Sequence, residues 1–170
     1  MNLFILRHGQ TDYNLLGKFQ GQVNTTLNET GIKQAYETKE LLKNINFDVI
    51  ICSPLQRAIN TANIVTNDAP FIIDNRIIER SFGSLEGQFG IEDFENYLDK
   101  YNIENYTSLC NRVYSFLDDI TKKYSDMNNI LITTHEGIAQ IINTYFDKNY
   151  NIYNWKNFRL QTGNYKKYII

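Results

Sequence analysis

The chain has 170 residues and a mass of 19.9 kDa, which is the size of one domain and excludes two full ones. An apolar fraction of 42%, with 14% aromatic residues, is enough for a hydrophobic core and excludes global disorder. The 17 basic and 19 acidic residues give a formal charge of -2, without the basic surplus that nucleic-acid binding requires.

The apolar stretches are all shorter than the roughly 18 residues that a membrane span needs. The run that follows Met1 leads directly into Arg7 and His8 without a cationic leader or a cleavage site. We therefore expect a soluble, cytoplasmic protein that has neither a membrane nor a nucleic acid as its partner.

The first half of the chain alternates apolar runs with helical patterns. Residues 3–6 are apolar and stop before Gly9, which is typical of a buried parallel strand followed by a loop. After a polar loop over 9–28, apolar positions three and four residues apart predict a helix from Thr30 to Lys43. Three more elements are predicted here: a strand over Asp48–Cys52, a helix to Val65 with Ser53 as N-cap and Pro54 at its first position, and a strand over Phe71–Asp74.

The second half begins with a glycine-bearing segment, Arg76–Gly90, that predicts an irregular loop. Residues 91–101 predict a weak acidic helix. The most amphipathic helix of the chain is expected between Tyr106 and Tyr124. The remaining predictions are a strand over Asn129–Thr133, a helix over Gly137–Phe146 and a hairpin or edge strand within Phe158–Ile170.

This alternation of strands and helices predicts the architecture, because it builds a mostly parallel sheet with helices on both faces. We expect an α/β three-layer sandwich formed by a single domain over residues 1–170. A small helical cap is expected as an excursion at about 84–105.

The two cysteines do not form a recognisable chemical motif. Cys52 ends an apolar run and Cys110 lies in a helical pattern, so both are interpreted as small core residues. Neither a disulfide framework nor a metal site is expected.

Both histidines of the chain follow predicted strands: His8 follows the first, and His135 follows the strand over Asn129–Thr133. Open α/β sheets bind ligands beyond the carboxyl ends of their strands. A lone histidine at such a place is more often a packed side chain. Here both histidines of the chain lie at strand ends, and each is followed by a glycine within two residues. This pattern favours a functional crevice that the two histidines share.

Two arginines point to an anion at the same crevice. Arg7 ends the first strand, and Arg57 lies on the first helical turn after another strand. Guanidinium groups bind phosphate oxygens in a forked geometry, and the helix that opens near Gly137 directs its positive end there. The sequence therefore predicts a phosphate site.

Six segments carry a common motif pattern in chain order: Leu6-Arg7-His8-Gly9-Gln10-Thr11 with Asn14, Gln20-Gly21, Leu27–Ala35, Ser53–Ala58, Glu79–Gly87 and His135. Together they resemble the histidine phosphatase superfamily. That family includes cofactor-dependent phosphoglycerate mutases, the bisphosphatase domain acting on fructose 2,6-bisphosphate, and small phosphatases such as those for α-ribazole phosphate. The matches span about residues 3–146 and are highly specific as a set.

The resemblance implies that His8 is the nucleophile that becomes phosphohistidine. It further implies that the transferred phosphoryl group is held by four side chains, those of Arg7, Asn14, Arg57 and His135. No metal or other cofactor is implied, since arginine and histidine donors compensate the charge of the phosphoryl oxygens.

The resemblance also implies that Glu79 is the proton donor and that Gln20 and Gly21 contact the substrate. Glu104 falls where the family often has Gly-Glu-Ser, but its neighbours differ, and no catalytic role is assigned to it. Three further positions depart from the family pattern: Lys18 replaces an arginine, Asn24 replaces an aspartate, and Glu136 stands where a glycine usually follows the second histidine.

The expected function is that of a metal-independent phosphomonoesterase acting on a small phosphorylated metabolite. A phosphoglycerate mutase-type transfer is the first alternative, but mutases of the family carry longer insertions over the site. A catalytically silent phosphate-binding domain is the second, and it would not need all of the side chains named above. The sequence predicts neither the substrate nor the oligomeric state.

Overall fold

The computed structural model describes all 170 residues, and it contains one five-stranded sheet. The strands are β1 (Asn2–Arg7), β2 (Val49–Cys52), β3 (Ile72–Ile73), β4 (Asn129–Thr134) and β5 (Tyr165–Ile169). Their order is β3-β2-β4-β1-β5, with β5 antiparallel to β1 and all other pairs parallel. The register pairs Arg7 with Thr134 and Cys52 with Thr133, so the carboxyl ends of three central strands share one edge.

Six helices complete the chain: α1 (Asp12–Leu15), α2 (Glu29–Leu42), α3 (Gln56–Thr66), α4 (Leu98–Tyr101), α5 (Tyr106–Lys123) and α6 (Glu136–Phe146). Short 3-10 turns lie at Asn75–Ile77, Gly83–Leu85, Phe94–Tyr97 and Trp155–Asn157. None of the helices is long and apolar enough to cross a membrane.

The helices cover both faces of the sheet, because successive side chains of a strand point to opposite sides. Leu3 and Ile5 of β1 lie in an 18-residue core cluster with side chains of α5 and α6. Phe4 and Leu6 lie in a second cluster with side chains of α2 and α3. The predicted three-layer α/β sandwich with a mostly parallel sheet is therefore confirmed.

The prediction that Ser53 caps a helix opened by Pro54 is wrong. Helix α3 starts at Gln56 and has Leu55 at its N-cap, and Asn24 Oδ1 accepts the backbone N–H of Gln56 over 2.7 Å. Ser53 has another partner, because its Oγ lies 2.6 Å from Nε2 of His135. Ser53 therefore contacts a residue that is distant in the sequence and does not form the helix cap that the local sequence predicts.

Other segments differ from the predictions in detail. The acidic segment over 91–101 is helical only from Phe94 onward, as a 3-10 turn followed by α4, because Asp93 adopts a left-handed φ of 52°. The polar loop over 9–28 contains the short helix α1, which Thr11 caps. In the tail, Gly163 turns the chain at a φ of +74° and the edge strand β5 follows.

Candidate active site

His8 lies directly after β1 and is 2% exposed. Its Nδ1 is 2.7 Å from the carbonyl oxygen of Gly9, which can only accept, and its Nε2 is the acceptor for Nε–H of Arg57 over 3.2 Å. Both contacts require the same neutral tautomer, with the proton on Nδ1 and the lone pair on Nε2. Burial and then the charges of Arg57 and Arg7 hold the pKa of His8 well below its usual value. The imidazole is therefore neutral at pH 7.

Gly9, the residue after His8, packs closely against the start of α2. A Cβ at Gly9 would lie 2.3 Å from the carbonyl oxygen of Gly31, at the start of α2. Only glycine allows the backbone after His8 to approach α2 so closely.

Arg57 is completely buried on the first turn of α3, with all three guanidinium nitrogens engaged. Besides Nε–H, which is donated to His8, its Nη1 donates to the Val23 carbonyl over 2.8 Å and its Nη2 to the Gly21 carbonyl over 2.7 Å. Burial lowers the pKa of Arg57 to about 10, which leaves the group charged at neutral pH. Arg57 is therefore a fixed positive charge against the Nε2 atom of His8.

His135 follows β4, the neighbour of β1, and is the N-cap residue of α6. Its ring centre lies 5.2 Å from that of His8, and Nε2 contacts Ser53 Oγ. Because a hydroxyl both donates and accepts, this contact is compatible with either neutral tautomer. Burial, Arg57 and His8 hold the pKa of His135 well below its usual value, so the side chain is neutral at pH 7.

Arg7 is the last residue of β1 and is held from two sides. Its Nη1 donates to the Leu160 carbonyl over 2.8 Å and lies 2.9 Å from Oε2 of Glu136. Glu136 in turn accepts from Nη1 of Arg159 through Oε1 over 3.0 Å. The sequence predicted neither Arg159 nor this bridging role of Glu136, since the two residues are 23 positions apart and share no local pattern.

Glu79 lies on the segment after the first 3-10 turn and faces the same cleft as His8. Its Oε1 accepts the backbone N–H of Arg80 over 2.8 Å, and its Oε2 accepts that of Gly137 over 3.3 Å. Burial raises the pKa of the Glu79 carboxyl, although these two N–H donors and the charge of Arg57 oppose the rise. A raised pKa lets a carboxyl hold a proton closer to neutral pH.

A partly buried ion pair fixes the backbone around Glu79. Arg112 of α5 contacts both oxygens of Glu104, from Nε to Oε1 over 2.7 Å and from Nη2 to Oε2 over 2.9 Å. Its Nη1 also donates to the carbonyls of Arg76 and Ile78, and its Nη2 donates to that of Glu79 over 3.2 Å. Glu104 is therefore placed to support the Glu79 segment.

Asn14, Gln20 and Gly21 line the same cleft as His8. Asn14 Oδ1 accepts the backbone N–H of Thr11 over 3.1 Å, so its amide nitrogen is the group left to donate. Gln20 Oε1 accepts from the hydroxyls of Thr11 and Thr25. Gly21 has a φ of +49° and presents its carbonyl to Arg57.

The cleft has a volume of about 260 Å³, and most of the residues that line it are polar or charged. Around His8 it adds cationic and aromatic side chains that the sequence did not assign to the site: Phe19, Arg80, Phe82, Phe94, Trp155, Lys156 and Arg159. Arg80 is an example of what sequence reasoning missed. It is a nearly buried arginine next to Glu79 that pairs with Glu95 and lies 5.5 to 5.7 Å from three aromatic rings.

The structure brings the predicted site residues to one edge of the sheet, but at two depths. Arg7, His8, Asn14, Gln20, Gly21 and Glu79 line the cleft. Arg57 and His135 lie beneath it, packed against His8. No group of three or more histidine, cysteine or acidic side chains is arranged to hold a metal ion.

Comparison with known proteins agrees with this geometry. The family model of the Histidine phosphatase superfamily (branch 1) matches residues 3–169. The chain belongs to this superfamily. The resemblance deduced from the motifs is thereby confirmed, and so is the prediction that the chain is a phosphatase enzyme with a catalytic histidine.

Relatives within the superfamily carry phosphatase names. The chain is 36% identical over 135 residues to the uncharacterized phosphatase PhoE of Bacillus subtilis, a match that covers 77% of this chain and 69% of the relative. It is 31% identical over 157 residues to the adenosylcobalamin/alpha-ribazole phosphatase of Escherichia coli, covering 84% and 77%. The solved alpha-ribazole phosphatase of Shigella flexneri superposes with a TM-score of 0.86 at 28% identity, covering 98% and 89%.

Proposed function

We propose that this superfamily member is a metal-independent phosphomonoesterase that hydrolyses a small phosphorylated metabolite through a phosphohistidine at Nε2 of His8. The observation that carries the proposal is the hydrogen bonding of the His8 ring. Gly9 fixes the proton on Nδ1, which leaves the Nε2 lone pair as the nucleophile. The depressed pKa of His8 keeps this lone pair unprotonated at neutral pH.

In the first step, Nε2 of His8 attacks phosphorus as the bond between phosphorus and the ester oxygen breaks. Glu79 donates its proton to the leaving oxygen, and its raised pKa supports this role. In the second step, water attacks phosphorus from the opposite side and gives a proton to Glu79. The P–N bond then breaks, and its electron pair returns to His8, so the enzyme is regenerated.

Charge compensation for the phosphoryl oxygens comes from arginine and neutral donors. Arg7 lines the cleft beside His8, and Arg57 holds its charge against Nε2 of the same ring. Asn14 and the neutral N–H of His135 add dipolar donors. Preorganised donors of this kind stabilise the developing charge of phosphoryl transfer without a metal ion.

The small cleft favours a small substrate. A volume of about 260 Å³ accommodates a phosphate and a short organic group. Gln20 and Gly21 line the same cleft, where that organic group would contact the protein. The names of both relatives refer to phosphatase activity, which supports the proposed type of reaction.

The test is phosphate release from a panel of phosphomonoesters, with the reaction products analysed for isomers and with EDTA present throughout. We expect hydrolysis by the wild type and none by His8→Ala. His135→Ala should retain reduced turnover, because it removes a stabilising contact but leaves the nucleophile. Rapid quench with labelled substrate should trap an acid-labile, base-stable phosphoenzyme.

Each alternative has its own signature in this experiment. Phosphoryl transfer to a second hydroxyl, without net phosphate release, would indicate a mutase. Phosphate-ester binding without turnover would indicate a silent binding domain. Activity lost in EDTA and restored by Mg²⁺ or Zn²⁺, or normal turnover in His8→Ala, would overturn the proposed mechanism.

A further inference from the structure

Glu136 places a carboxylate next to the proposed phosphate site, and no step of the mechanism above uses it. Its two oxygens bridge Arg7, at 2.9 Å, and Arg159, at 3.0 Å. The side chain lines the same cleft as His8, at the first turn of α6. A group that the substrate carries beyond its phosphate can therefore reach this carboxylate within the cleft.

A carboxylate at this position is unfavourable for phosphate itself, because the two anions repel each other across Arg7. A second anion on the substrate would be repelled in the same way, whereas a cation would be attracted. The charge of residue 136 thus discriminates between substrates that share a phosphate and differ in the group attached to it.

We propose that Glu136 selects short phosphomonoesters that carry a primary ammonium group and disfavours those that carry a carboxylate at the same place. This inference rests on the proposed phosphatase function and specifies its substrate class. Oxygen Oε1 of Glu136, which now faces Arg159, receives the ammonium group.

In this proposal the substrate ammonium group displaces Arg159 from Oε1 of Glu136. The side chain of Arg159 is 62% exposed, and its Nη1 donates a hydrogen bond to Oε1 of Glu136. Arg7, by contrast, is mostly buried and also anchored to the Leu160 carbonyl. Exposed ion pairs contribute little stability, so exchange of Arg159 for a substrate ammonium costs little.

The other charges of the cleft leave Glu136 as the acceptor for a cation. Glu79, the second carboxylate of the lining, has both oxygens occupied by backbone N–H groups. Arg80 and Lys156 share the carboxylate of Glu95, which offsets one of their two positive charges. Lys18 lies over the rings of Tyr13 and Phe89 at the rim.

The experiment compares kcat/KM for three esters of nearly equal size: O-phosphoethanolamine, n-propyl phosphate and phosphoglycolate. We expect the wild type to prefer the ammonium ester over the neutral ester by about tenfold, as one close charge pair in a polar cleft allows, and to disfavour phosphoglycolate. Glu136→Gln should abolish the preference for ammonium and favour phosphoglycolate, because Arg159 becomes unpaired. Arg159→Gln is the matched control and should strengthen the preference for ammonium.

Binding of the same esters to His8→Ala, measured by calorimetry, gives the comparison independently of turnover. Rates are compared between wild type and Glu136→Gln, and binding is compared between His8→Ala and His8→Ala/Glu136→Gln. Ratios among the esters that are unchanged by Glu136→Gln in both comparisons would overturn the role of Glu136. If the wild type hydrolyses none of the phosphomonoesters, the proposed function fails. In that case the preference for ammonium esters in the binding measurements still tests the role of Glu136. Failure of the proposed function can therefore be distinguished from failure of the role of Glu136.

Discussion

Nε–H of Arg57 donates to Nε2 of His8 over 3.2 Å, so the proposed nucleophilic atom accepts a hydrogen bond from a buried arginine. A phosphate oxygen is a charged and therefore stronger hydrogen-bond acceptor than a neutral imidazole nitrogen. If a bound phosphate accepts Nε–H of Arg57 in place of His8, the lone pair on Nε2 of His8 becomes free. The hydrogen bond therefore favours the His8 tautomer with its proton on Nδ1, and in the proposed mechanism phosphate binding would free Nε2.

Replacement of this arginine, Arg57→Gln, should raise the pKa of His8, because it removes the charge that adds to burial in lowering that pKa. It should also slow phosphorylation of the enzyme by about 10²- to 10³-fold, as the loss of one preorganised donor does. NMR titration of the imidazole and the pre-steady-state burst measure the two effects. Arg76→Gln, which changes an arginine paired with Asp74 and Asp119, is the control and should leave the pKa of His8 unchanged.

The stability of the protein should fall as the pH drops below about 6.5. Burial depresses the pKa of both His8 and His135, so below the unfolded value the unfolded chain binds protons that the folded one rejects. The slope should approach about 1.4 kcal/mol per pH unit for each histidine until its folded pKa is reached. Urea unfolding at a series of pH values measures this slope.

Glu79 acts in the opposite direction, because its pKa is raised on folding and proton uptake by the folded state stabilises it. Its contribution rises as the pH falls through the folded pKa toward 4.5. Glu79→Gln should therefore make the acid-induced loss of stability steeper. Stability that stays constant from pH 7 to 5.5 in the wild type would contradict the neutral, buried state of the histidines.

The role of Glu79 as proton donor predicts a dependence on the leaving group. Glu79→Gln should slow the burst with an alkyl phosphate by about 10²- to 10⁴-fold, the usual contribution of general acid catalysis. p-Nitrophenyl phosphate, whose leaving group needs little protonation, should be affected much less. Equal losses with both substrates would show that Glu79 positions the substrate, and Glu104 and Glu136 would become the candidates for the proton donor.

Glu104→Gln should destabilise the protein, because it leaves the charge of Arg112 without its bidentate partner. Removal of one member of a largely buried pair costs about 3 kcal/mol. The control is Glu37→Gln, which breaks an exposed pair with Lys33 at 3.9 Å and should change the unfolding free energy by less than about 0.5 kcal/mol. Similar values for the two variants would show that the Arg112 pair does not hold the Glu79 segment.

The fold and the identity of the reacting edge were predictable from the sequence. Short apolar runs identified the parallel strands, and the amphipathic pattern after Tyr106 identified α5. Both patterns are local consequences of burial. His8 and His135 were paired correctly without any structure, since each terminates a strand and parallel strands end at one edge. The roles of the site residues, Asn14, Gln20 and Gly21 included, remain predictions.

The tertiary structure alone decided which polar groups meet. Ser53 follows the local pattern of a helix cap, yet the neighbouring strand brings His135 within 2.6 Å of its hydroxyl. Glu136 is only one residue from His135 in the chain, but its partners Arg7 and Arg159 lie 129 and 23 positions away. Periodicity reports which side of an element is buried. Contacts between distant side chains depend on how the elements pack, and they have no local signature in the sequence.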